Sequence, residues 1–382
     1  MNRLRDIIIN NKDKIVIGYD DFKDRFYAIN SKDRVHALIL GETGSGKSET
    51  MKLLMYQHII KKEGFMLIDP HGMLARDIDS ILKNELNDYD SRVIYINTED
   101  TNIKINPIEI NDYKKYHLVV LSFINALKNL YEYAWGDRLE TILRNALLLL
   151  IEADPPATLS KIAKVLSNKK YRDMLVKGSG NYDISNYWYH IYPNYAMEAF
   201  TAVYNKLDKL LSIASIKQIF DCEESSIDIS KLIEDNKIII IDLSSAIADD
   251  IIRFLGSLFI HMLYVSAKQN IALNNKYYLY IDEAQLISTF AVREVLNALR
   301  KFNISITLAT QSINAFDKSI QKELTALCRL IILFRADMDT AKTFAYLFNI
   351  NEEKIYTLPL HYFYFYQQGE QAVRGLAKSY VV

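Results

Sequence analysis

The chain has 382 residues, half of them hydrophobic, and a formal net charge of −1 from 46 basic and 47 acidic side chains. This composition supports a large buried core and excludes a simple basic DNA-binding domain, which carries a surplus of Lys and Arg. The two cysteines, Cys222 and Cys328, and the seven scattered histidines predict neither a disulfide framework nor a zinc site.

The first third of the chain predicts alternating strands and helices. Residues 1–34 are mixed and charged, and IVIGY within them predicts a strand; their apolar core is too short for a signal peptide. A strand VHALIL, a glycine loop and a helix from Thr50 follow, and then come the strands GFMLIDP and VIYIN with a helix between them. This βαβαβ order predicts a parallel sheet with helices on its faces.

The middle of the chain predicts helices only. Segments such as LETILRNALLLLIEA have apolar residues at helical spacing. Strands resume at 237–245, 277–285, 304–312 and 329–337, and a hairpin turning at Gln367–Glu370 closes the tail. We therefore expect an α/β fold in which a mainly parallel sheet, flanked by helices, occupies residues 1–111 and 223–382 and is interrupted by an all-helical domain at 112–222.

One segment resembles a membrane span. FLGSLFIHMLYVSA, residues 254–267, is apolar, but it is too short to cross a bilayer and is interrupted by His261. We expect a buried helix there and a cytoplasmic protein.

The glycine loop GETGSGKS fits G-x-x-x-x-G-K-[ST] in the strand–loop–helix context that this motif requires. Backbone N–H groups of such a loop wrap phosphates, and the helix N-terminus adds partial positive charge. Lys47 is expected to reach the β- and γ-phosphates, and Ser48 to bind Mg²⁺. The predicted nucleotide-binding residues are Gly41, Glu42, Thr43, Gly44, Ser45, Gly46, Lys47, Ser48, Glu49 and Thr50.

Polar residues follow two later strands. YYLYIDE ends in Asp282, which suits Mg²⁺ coordination, and Glu283, which suits polarisation of an attacking water. Two adjacent acids at a strand end also fit ordinary helix N-capping. The next strand, ISITLAT, precedes Gln311, which is placed to sense a γ-phosphate, although Thr, Gln and Ser also begin turns.

A GTPase is the competing interpretation. DPHG at 69–72 fits a D-x-x-G switch, and NKLD at 205–208 fits a guanine-reading motif. The apolar residues around NKLD run at helical spacing, so it is predicted to lie within a helix rather than at a strand end. This context argues against a GTPase.

Taken in order, the motifs give the chain a family resemblance. It resembles the HerA–FtsK superfamily of RecA-like P-loop ATPases, particularly conjugative coupling proteins and type IV secretion ATPases. The resemblance rests on HALILGETGSGKS, LIDPHG, AWGDRLETILRNALLLL, LYIDEAQ, LRKFNISITLATQS and IILFRAD. These segments span nearly the whole chain, and the one within the helical region is more specific than the phosphate loop.

The resemblance implies a ring, usually a hexamer, that uses ATP and Mg²⁺ to pump DNA through its centre. An arginine from a neighbouring subunit completes each active site in such rings. The family's arginine matches Arg300 of LRKFN, where Asn303 replaces the family's glycine; Arg335 and Arg34 are further candidates. Asp69 and His71 match the family's D-P-H-G, either at the edge of the nucleotide pocket or in a structural turn.

We expect the chain to differ from the family at its N-terminus, where the family's motors usually carry a further domain or transmembrane helices. Only residues 1–34 precede the predicted core strand, so we expect no membrane anchor in it and docking to a membrane channel, relaxase or capsid partner. DNA contacts are expected from Lys318 and Lys322 or from the basic residues of 161–172, for which a solvated helix face is an equal alternative.

Three functions remain open from the sequence. The first is a DNA translocase acting in conjugation, DNA import or genome packaging. The second is an ATPase that energises protein secretion or pilus assembly without gripping DNA. The third is a nucleotide-dependent switch, which predicts a preference for GTP and no ring.

Overall fold

The structure, a computed structural model, describes residues 2–31, 36–130, 135–195, 197–246, 248–269, 275–287, 296, 298–368 and 373–382. The chain divides into two compact units. The first comprises residues 1–96, 231–244 and 270–382, and the second comprises residues 97–230 and 245–269.

The first unit is built on a sheet of 11 strands. The strands are β1 (Lys14–Asp20), β2 (Arg25–Asn30), β3 (Ala37–Leu40), β4 (Phe65–Asp69), β5 (Val93–Asn97), β6 (Ile238–Asp242), β7 (Tyr277–Ile281), β8 (Ile304–Thr310), β9 (Leu330–Leu333), β10 (Tyr362–Gln367) and β11 (Val373–Lys378). Their order across the sheet is β2-β1-β11-β10-β9-β3-β8-β7-β4-β6-β5.

The centre of the sheet is parallel. Strands β9, β3, β8, β7, β4 and β6 run in one direction, each hydrogen-bonded to the next. Every residue of β3, β4, β6 and β7 is buried, because helices cover both faces of a parallel sheet and its strands are apolar throughout. The fold is therefore the RecA-like α/β arrangement expected from the strand order.

One edge of the sheet is antiparallel. Strands β10 and β11 form the expected hairpin, β10 pairs with β9, and β1 pairs with both β11 and β2. Burial alternates along β10, as in a strand with one face on the core. The strand predicted at IVIGY is therefore confirmed as β1, and residues 1–34 contribute both β1 and β2 to the sheet.

The helices, in chain order, are α1 (Asn2–Asn10), α2 (Lys47–Lys61), α3 (Met73–Glu85), α4 (Tyr89–Arg92), α5 (Tyr116–Leu130), α6 (Asp137–Ala153), α7 (Leu159–Ser167), α8 (Lys169–Ser179), α9 (Tyr182–Asn186), α10 (Met197–Leu211), α11 (Ala214–Phe220), α12 (Ile229–Glu234), α13 (Asp249–Gln269), α14 (Lys318–Leu327), α15 (Met338–Phe348) and α16 (Glu353–Tyr356). In the first unit α2 and α3 pack together, and α2 buries Met51, Leu54 and Ile59 in the same hydrophobic core as β3 and β4.

The second unit is helical in the part that the structure describes, with α5 packed on α13 and α6, α7, α8 and α10 packed together. The helical region expected at 112–222 lies inside it, while the unit begins at residue 97 and also takes in 245–269. The domain boundaries expected from sequence stay a prediction.

Helix α13 contains the apolar segment that resembled a membrane span. The helix has 21 residues, so the segment is longer than expected from sequence, and Asp249–Lys268 is long and apolar enough to cross a bilayer. However, 78% of the apolar window is buried inside the protein, as expected for a core helix. His261, which interrupts the apolar run, is buried as well.

Candidate active site

The predicted site residues of the first unit follow parallel strands. The phosphate loop follows β3, Asp69 is the last residue of β4, Asp282 and Glu283 follow β7, and Gln311 follows β8. Because the carboxyl ends of parallel strands meet at one edge of a sheet, these residues share that edge, where ligands bind in open α/β sheets. Strand β8 lies between β3 and β7, so Gln311 emerges between the loop and the two acids.

The loop has the backbone that a phosphate cradle needs. Gly41, Gly44 and Gly46 have φ angles of +156°, +75° and +119°. Helix α2 starts directly after the loop, at Lys47, so its first N–H groups face the same space.

The loop is held from behind by neighbouring strand ends. The N–H of Glu42 donates to the carbonyl of Arg335 at 2.8 Å, and the N–H of His361 donates to the carbonyl of Ser45 at 2.9 Å. A Cβ on Gly46 would lie 2.9 Å from Phe334 and 3.0 Å from the Ser379 hydroxyl. Residues after β9, before β10 and after β11 therefore fix the shape of the loop.

Polar atoms in the loop fit a phosphate ligand. The hydroxyls of Ser45 and Thr50 are buried and have no hydrogen-bond partner among the described residues. A buried hydroxyl without a partner is costly unless a ligand satisfies it. Ser48, the predicted Mg²⁺ ligand, is exposed.

Lys47 lies folded back onto the loop. Its side chain is 5% exposed, and Nζ donates to the carbonyls of Gly41 at 2.8 Å and Glu42 at 3.1 Å. Burial lowers the pKa of Lys47, and the charges of Glu283 and Asp282 act in the opposite direction. The two acids are thus within electrostatic reach of the lysine.

The acid pair after β7 is buried, with Asp282 at 8% exposure and Glu283 at 9%. Burial, and then the charges of Asp69 and Glu283, raise the pKa of Asp282 to about 7. Glu283 has a φ of +42°, in the left-handed region that a non-glycine residue seldom occupies. Strained backbone of this kind is concentrated at functional sites.

Glu283 is held by two amides. Gln311 Nε2 donates to both of its carboxylate oxygens at 3.2 Å, and Gln285 Nε2 donates to Oε2. Glu283 makes no side-chain cap to the 3₁₀ turn Ala284–Leu286 that follows it. The N-capping alternative is therefore not what this geometry shows.

Asp69 has a structural role in the chain itself. Its oxygens accept the N–H groups of His71 and Ala75, both at 2.9 Å, and so fix the turn into α3, while His71 is exposed. A further buried acid at a strand end, Asp242, was not predicted from the sequence; it accepts a hydrogen bond from Tyr95 at 2.7 Å. Asp242 could have been found from the sequence, because the apolar run IIIID ends in an acid, as do the runs FMLID and YYLYID.

Of the three candidate arginines, Arg335 is the one whose side chain the structure describes. Arg335 donates from Nε to Glu42 Oε2 at 2.8 Å in the same chain. The side chain of Arg300 and the whole of Arg34 lie outside the described residues. Asn303, which replaces the family's glycine, has a φ of +61°, so it makes the left-handed turn that a glycine would make.

The basic residues of 161–172, in the second unit, are largely engaged within it. Lys161 pairs with Asp154 at 3.2 Å, and Lys169 pairs with Asp173 at 2.5 Å. Arg172 donates to the carbonyl of Val165 at 2.8 Å, and its guanidinium lies 5.5 Å from the ring centre of Trp188. The aromatic segment YWYHIYPNY, residues 187–195, includes Trp188 and thus packs within the helical unit.

The motif that suggested a GTPase lies inside a helix. NKLD falls within α10, so its side chains are not at a strand end as a guanine-reading motif requires. The structure agrees with the context argument made from sequence.

Known proteins share this fold. The structure is similar to the plasmid coupling protein TrwB in complex with ADP and Mg²⁺, with a TM-score of 0.71 and 16% identity, covering 100% of this chain and 92% of that chain. It is similar to VirB4 of Thermoanaerobacter pseudethanolicus, with a TM-score of 0.70 and 17% identity over 96% of each chain.

Sequence comparison gives a local match and a family match. A segment of 49 residues is 41% identical to the type 4 coupling protein DotL of Legionella pneumophila, and it spans 13% of this chain and 6% of that protein. The family model described as "Helicase HerA, central domain" matches residues 28–263, more than half of the chain and both units in part. The RecA-like sheet, its phosphate loop and this match together show that the chain belongs to the HerA helicase central-domain family.

Proposed function

We propose that the chain is a Mg²⁺-dependent ATPase that assembles into a ring, expected to be a hexamer, and translocates DNA. The observation that carries the proposal is the set of three side chains at one sheet edge: Lys47 in the loop, Glu283 after β7 and Gln311 after β8. In comparable P-loop enzymes these positions hold the phosphates, activate the water and sense the γ-phosphate.

The residues present fit ATP and Mg²⁺. The loop from Gly41 to Thr50 would wrap the phosphates, and the unpartnered hydroxyls of Ser45 and Thr50 lie within it. Ser48 and Asp282 would hold Mg²⁺, which supplies charge neutralisation at the β- and γ-phosphates when bound. The pKa of Asp282 is raised to about 7, and a cation bound beside its carboxyl group would favour the ionised form.

The chemical step is assigned to this chain's own residues. Lys47 exchanges the carbonyls of Gly41 and Glu42 for the β- and γ-phosphate oxygens. Glu283 orients the attacking water and accepts its proton. Gln311 holds the carboxylate of Glu283, and it couples the presence of the γ-phosphate to the position of the loops that follow β8. Arg300 of a neighbouring subunit stabilises the charge that develops on the γ-phosphate, a contribution of about 10³–10⁵ in rate in comparable enzymes.

Two observations support a DNA translocase. The family is that of the HerA helicase, and a short segment matches a type 4 coupling protein. We place the protein in the cytoplasm, peripheral to a membrane complex, and docked on a channel, relaxase or capsid. A subunit with a charge of −1 is compatible with this role, since several copies of a few phosphate contacts suffice.

The second candidate function is an ATPase that energises secretion or pilus assembly without gripping DNA. It is favoured by the net charge and by the engagement of Lys161, Lys169 and Arg172 within the protein. The similarity to VirB4 is as strong as that to TrwB, so the fold does not separate the two functions.

The test is an ATPase assay with and without single- and double-stranded DNA, together with the mass of the assembly. A translocase is expected to form a ring, to be stimulated by DNA and to lose DNA affinity as salt rises. ATPase activity of a ring that neither binds DNA nor responds to it would favour the secretion function. A monomer that prefers GTP would indicate a switch.

Two variants test the site itself. Glu283→Gln is expected to lower kcat by about 10²–10⁴-fold, the usual contribution of a general base, and to retain ATP binding. Lys47→Ala is expected to lose both. Glu353→Gln, on the exposed helix α16, is the matched control, and full turnover by Glu283→Gln would refute the assignment.

A further inference from the structure

The phosphate loop is joined to the end of β9 by an ion pair between side chains. Arg335 Nε donates to Glu42 Oε2 at 2.8 Å, and the backbones of the same two residues are hydrogen-bonded at 2.8 Å. Glu42 is the second residue of the loop, and Arg335 follows the strand beside β3. The guanidinium is therefore fixed next to the phosphate-binding backbone of its own chain.

The ion pair between Arg335 and Glu42 is expected to contribute little to the stability of the fold. The Arg335 side chain is 36% exposed and that of Glu42 is 45% exposed. Exposed ion pairs contribute little to folding, typically below about 1 kcal/mol. A carboxylate in a loop that receives a polyanion is also unfavourable unless a cation lies beside it.

The geometry leaves one edge of the guanidinium available. Glu42 accepts a hydrogen bond from Nε, and among the described residues the two Nη groups of Arg335 make no hydrogen bond. Arginine presents its donors in a rigid planar fork that matches phosphate oxygens. The Glu42 carboxylate, by accepting a hydrogen bond from Nε, fixes the plane of the Arg335 guanidinium and leaves its two Nη groups free to donate to an anion.

We propose that Arg335 binds the β- or γ-phosphate of the nucleotide held by the loop of its own subunit, and that Glu42 is the positioning residue for Arg335. This inference rests on the proposed function for the identity of the nucleotide. It assigns Arg335 to its own site, whereas the family resemblance offered it as an arginine supplied to a neighbour. It also gives Glu42 a role in phosphate recognition that its negative charge alone would oppose.

The first experiment measures binding of ATP, ADP and AMP by calorimetry. Arg335→Ala is expected to weaken ATP binding by about 10- to 100-fold, the value of a charge-assisted hydrogen bond, and to leave AMP binding unchanged because AMP lacks the outer phosphates. Arg335→Lys is expected to recover only part of the loss, since a lysine cannot form the fork. Equal losses for ATP and AMP would overturn the proposal, as would ATP affinity unchanged within twofold.

The role of Glu42 is tested by a double-mutant cycle. Glu42→Gln is expected to weaken ATP binding in the wild-type background and to have no further effect in Arg335→Ala, because Glu42 acts through that arginine. Glu42→Asp is expected to retain part of the affinity. Additive losses would show that Glu42 does not act through Arg335.

The ion pair between Arg5 and Glu85, at 2.6 Å and with side chains 47% and 17% exposed, provides controls in the same unit. Arg5→Ala and Glu85→Gln remove the same chemical groups and are expected to leave nucleotide affinity unchanged. Lys47→Ala separates the two proposals: if it leaves ATP affinity intact, the nucleotide assignment itself fails, whereas an effect of Lys47→Ala without one of Arg335→Ala refutes only the role of Arg335.

Mixed assemblies distinguish the two possible subunits. Arg335→Ala and Lys47→Ala are mixed in equal amounts and the ATPase rate is measured. If Arg335 serves its own subunit, every site in the mixture carries a defect and the rate stays low. If it serves a neighbour, some sites combine an intact loop with an intact arginine, and recovery of activity would overturn the proposal. The mixture of Arg300→Ala with Lys47→Ala reports the recovery expected for an arginine that acts between subunits.

Discussion

Gln311 donates its side-chain amide to both carboxylate oxygens of Glu283 at 3.2 Å, and so joins the ends of β8 and β7. Gln311 directly follows β8 and Glu283 lies two residues after the end of β7, and these two buried strands are paired in parallel. The carboxylate that is proposed to activate water is thus already oriented by a residue of the neighbouring strand. Its strained backbone, with φ of +42°, is compatible with this role.

Gln311→Ala is expected to lower kcat with little change in KM. Loss of the Gln311 amide leaves Gln285 as the remaining side-chain donor described for Glu283, and misplacement of a catalytic group by about 1 Å costs on the order of 10²-fold in rate. Steady-state ATPase kinetics give both constants. Gln218→Ala, an exposed glutamine of α11, serves as control, and a kcat within twofold of wild type would mean that the amide has no part in catalysis.

The phosphate loop offers a matched pair of glycine substitutions. Gly44 and Gly46 both have positive φ, but a Cβ on Gly44 meets nothing within 4 Å, whereas one on Gly46 would lie 2.9 Å from Phe334 and 3.3 Å from His361. Gly44→Ala is expected to cost about 1–2 kcal/mol of backbone strain in the free energy of unfolding. Gly46→Ala is expected to cost more and to weaken nucleotide binding further.

Urea unfolding and ATP titration of these two variants measure the difference. Equal losses of stability would show that the packing behind Gly46 relaxes without cost, so that the residues after β11 do not fix the loop.

His261 predicts an acid-sensitive stability. Burial lowers its pKa to about 4 from an ordinary value of 6.5. The unfolded chain takes up the proton near pH 6.5, while the folded state resists protonation down to about pH 4. The stability is therefore complete above pH 6.5 and is lost as the pH falls toward 4, by roughly 2–4 kcal/mol from this group.

The free energy of unfolding, measured by urea between pH 4 and pH 8, tests this linkage. His261→Gln is expected to flatten the dependence between pH 4 and 6.5, whatever its effect on stability at neutral pH. His190→Gln, an exposed histidine of the same unit, is expected to keep it. An unchanged slope in His261→Gln would show that the acid loss arises from other groups.

Asn303 predicts a stability difference between two substitutions. It has φ of +61° in the turn before β8, and its carbonyl accepts the N–H of Tyr277 at 3.2 Å. Asn303→Gly is expected to change the free energy of unfolding by no more than about 0.5 kcal/mol, since glycine also adopts this conformation. Asn303→Val is expected to lose about 1–2 kcal/mol, because a β-branched residue is strained there. Equal stabilities in thermal unfolding would contradict the assigned backbone.

Much of the parallel core was predictable because its signals are local. The phosphate loop, the acids after β7 and the glutamine after β8 each stand directly after an apolar run, and strand order brings them to one edge. The short apolar run before Asp69 gave β4 in the same way. Sequence also placed NKLD within a helix, since the apolar spacing around it is local.

The antiparallel edge was not predictable from local signals. Pairing of Tyr19 with Lys378 joins segments at the two ends of the sequence. The residue periodicity of each segment predicts a strand but does not indicate which other strand it pairs with. The same holds for the ion pair of Glu42 with Arg335, whose members are separated by 293 positions. Local spacing reveals which residues form strands, and long-range contacts decide which strands complete the site.

The support of the phosphate loop by His361 and Ser379 has a consequence for synthesis of the protein. The loop itself leaves the ribosome early, but His361, β10, β11 and Ser379 are translated more than 300 positions later. Until they emerge, β9 lacks its antiparallel neighbour and the loop lacks its backing. We therefore expect a nascent chain halted before residue 361 to carry the complete phosphate-loop motif without a rigid loop, so that nucleotide binding would require translation past this hairpin.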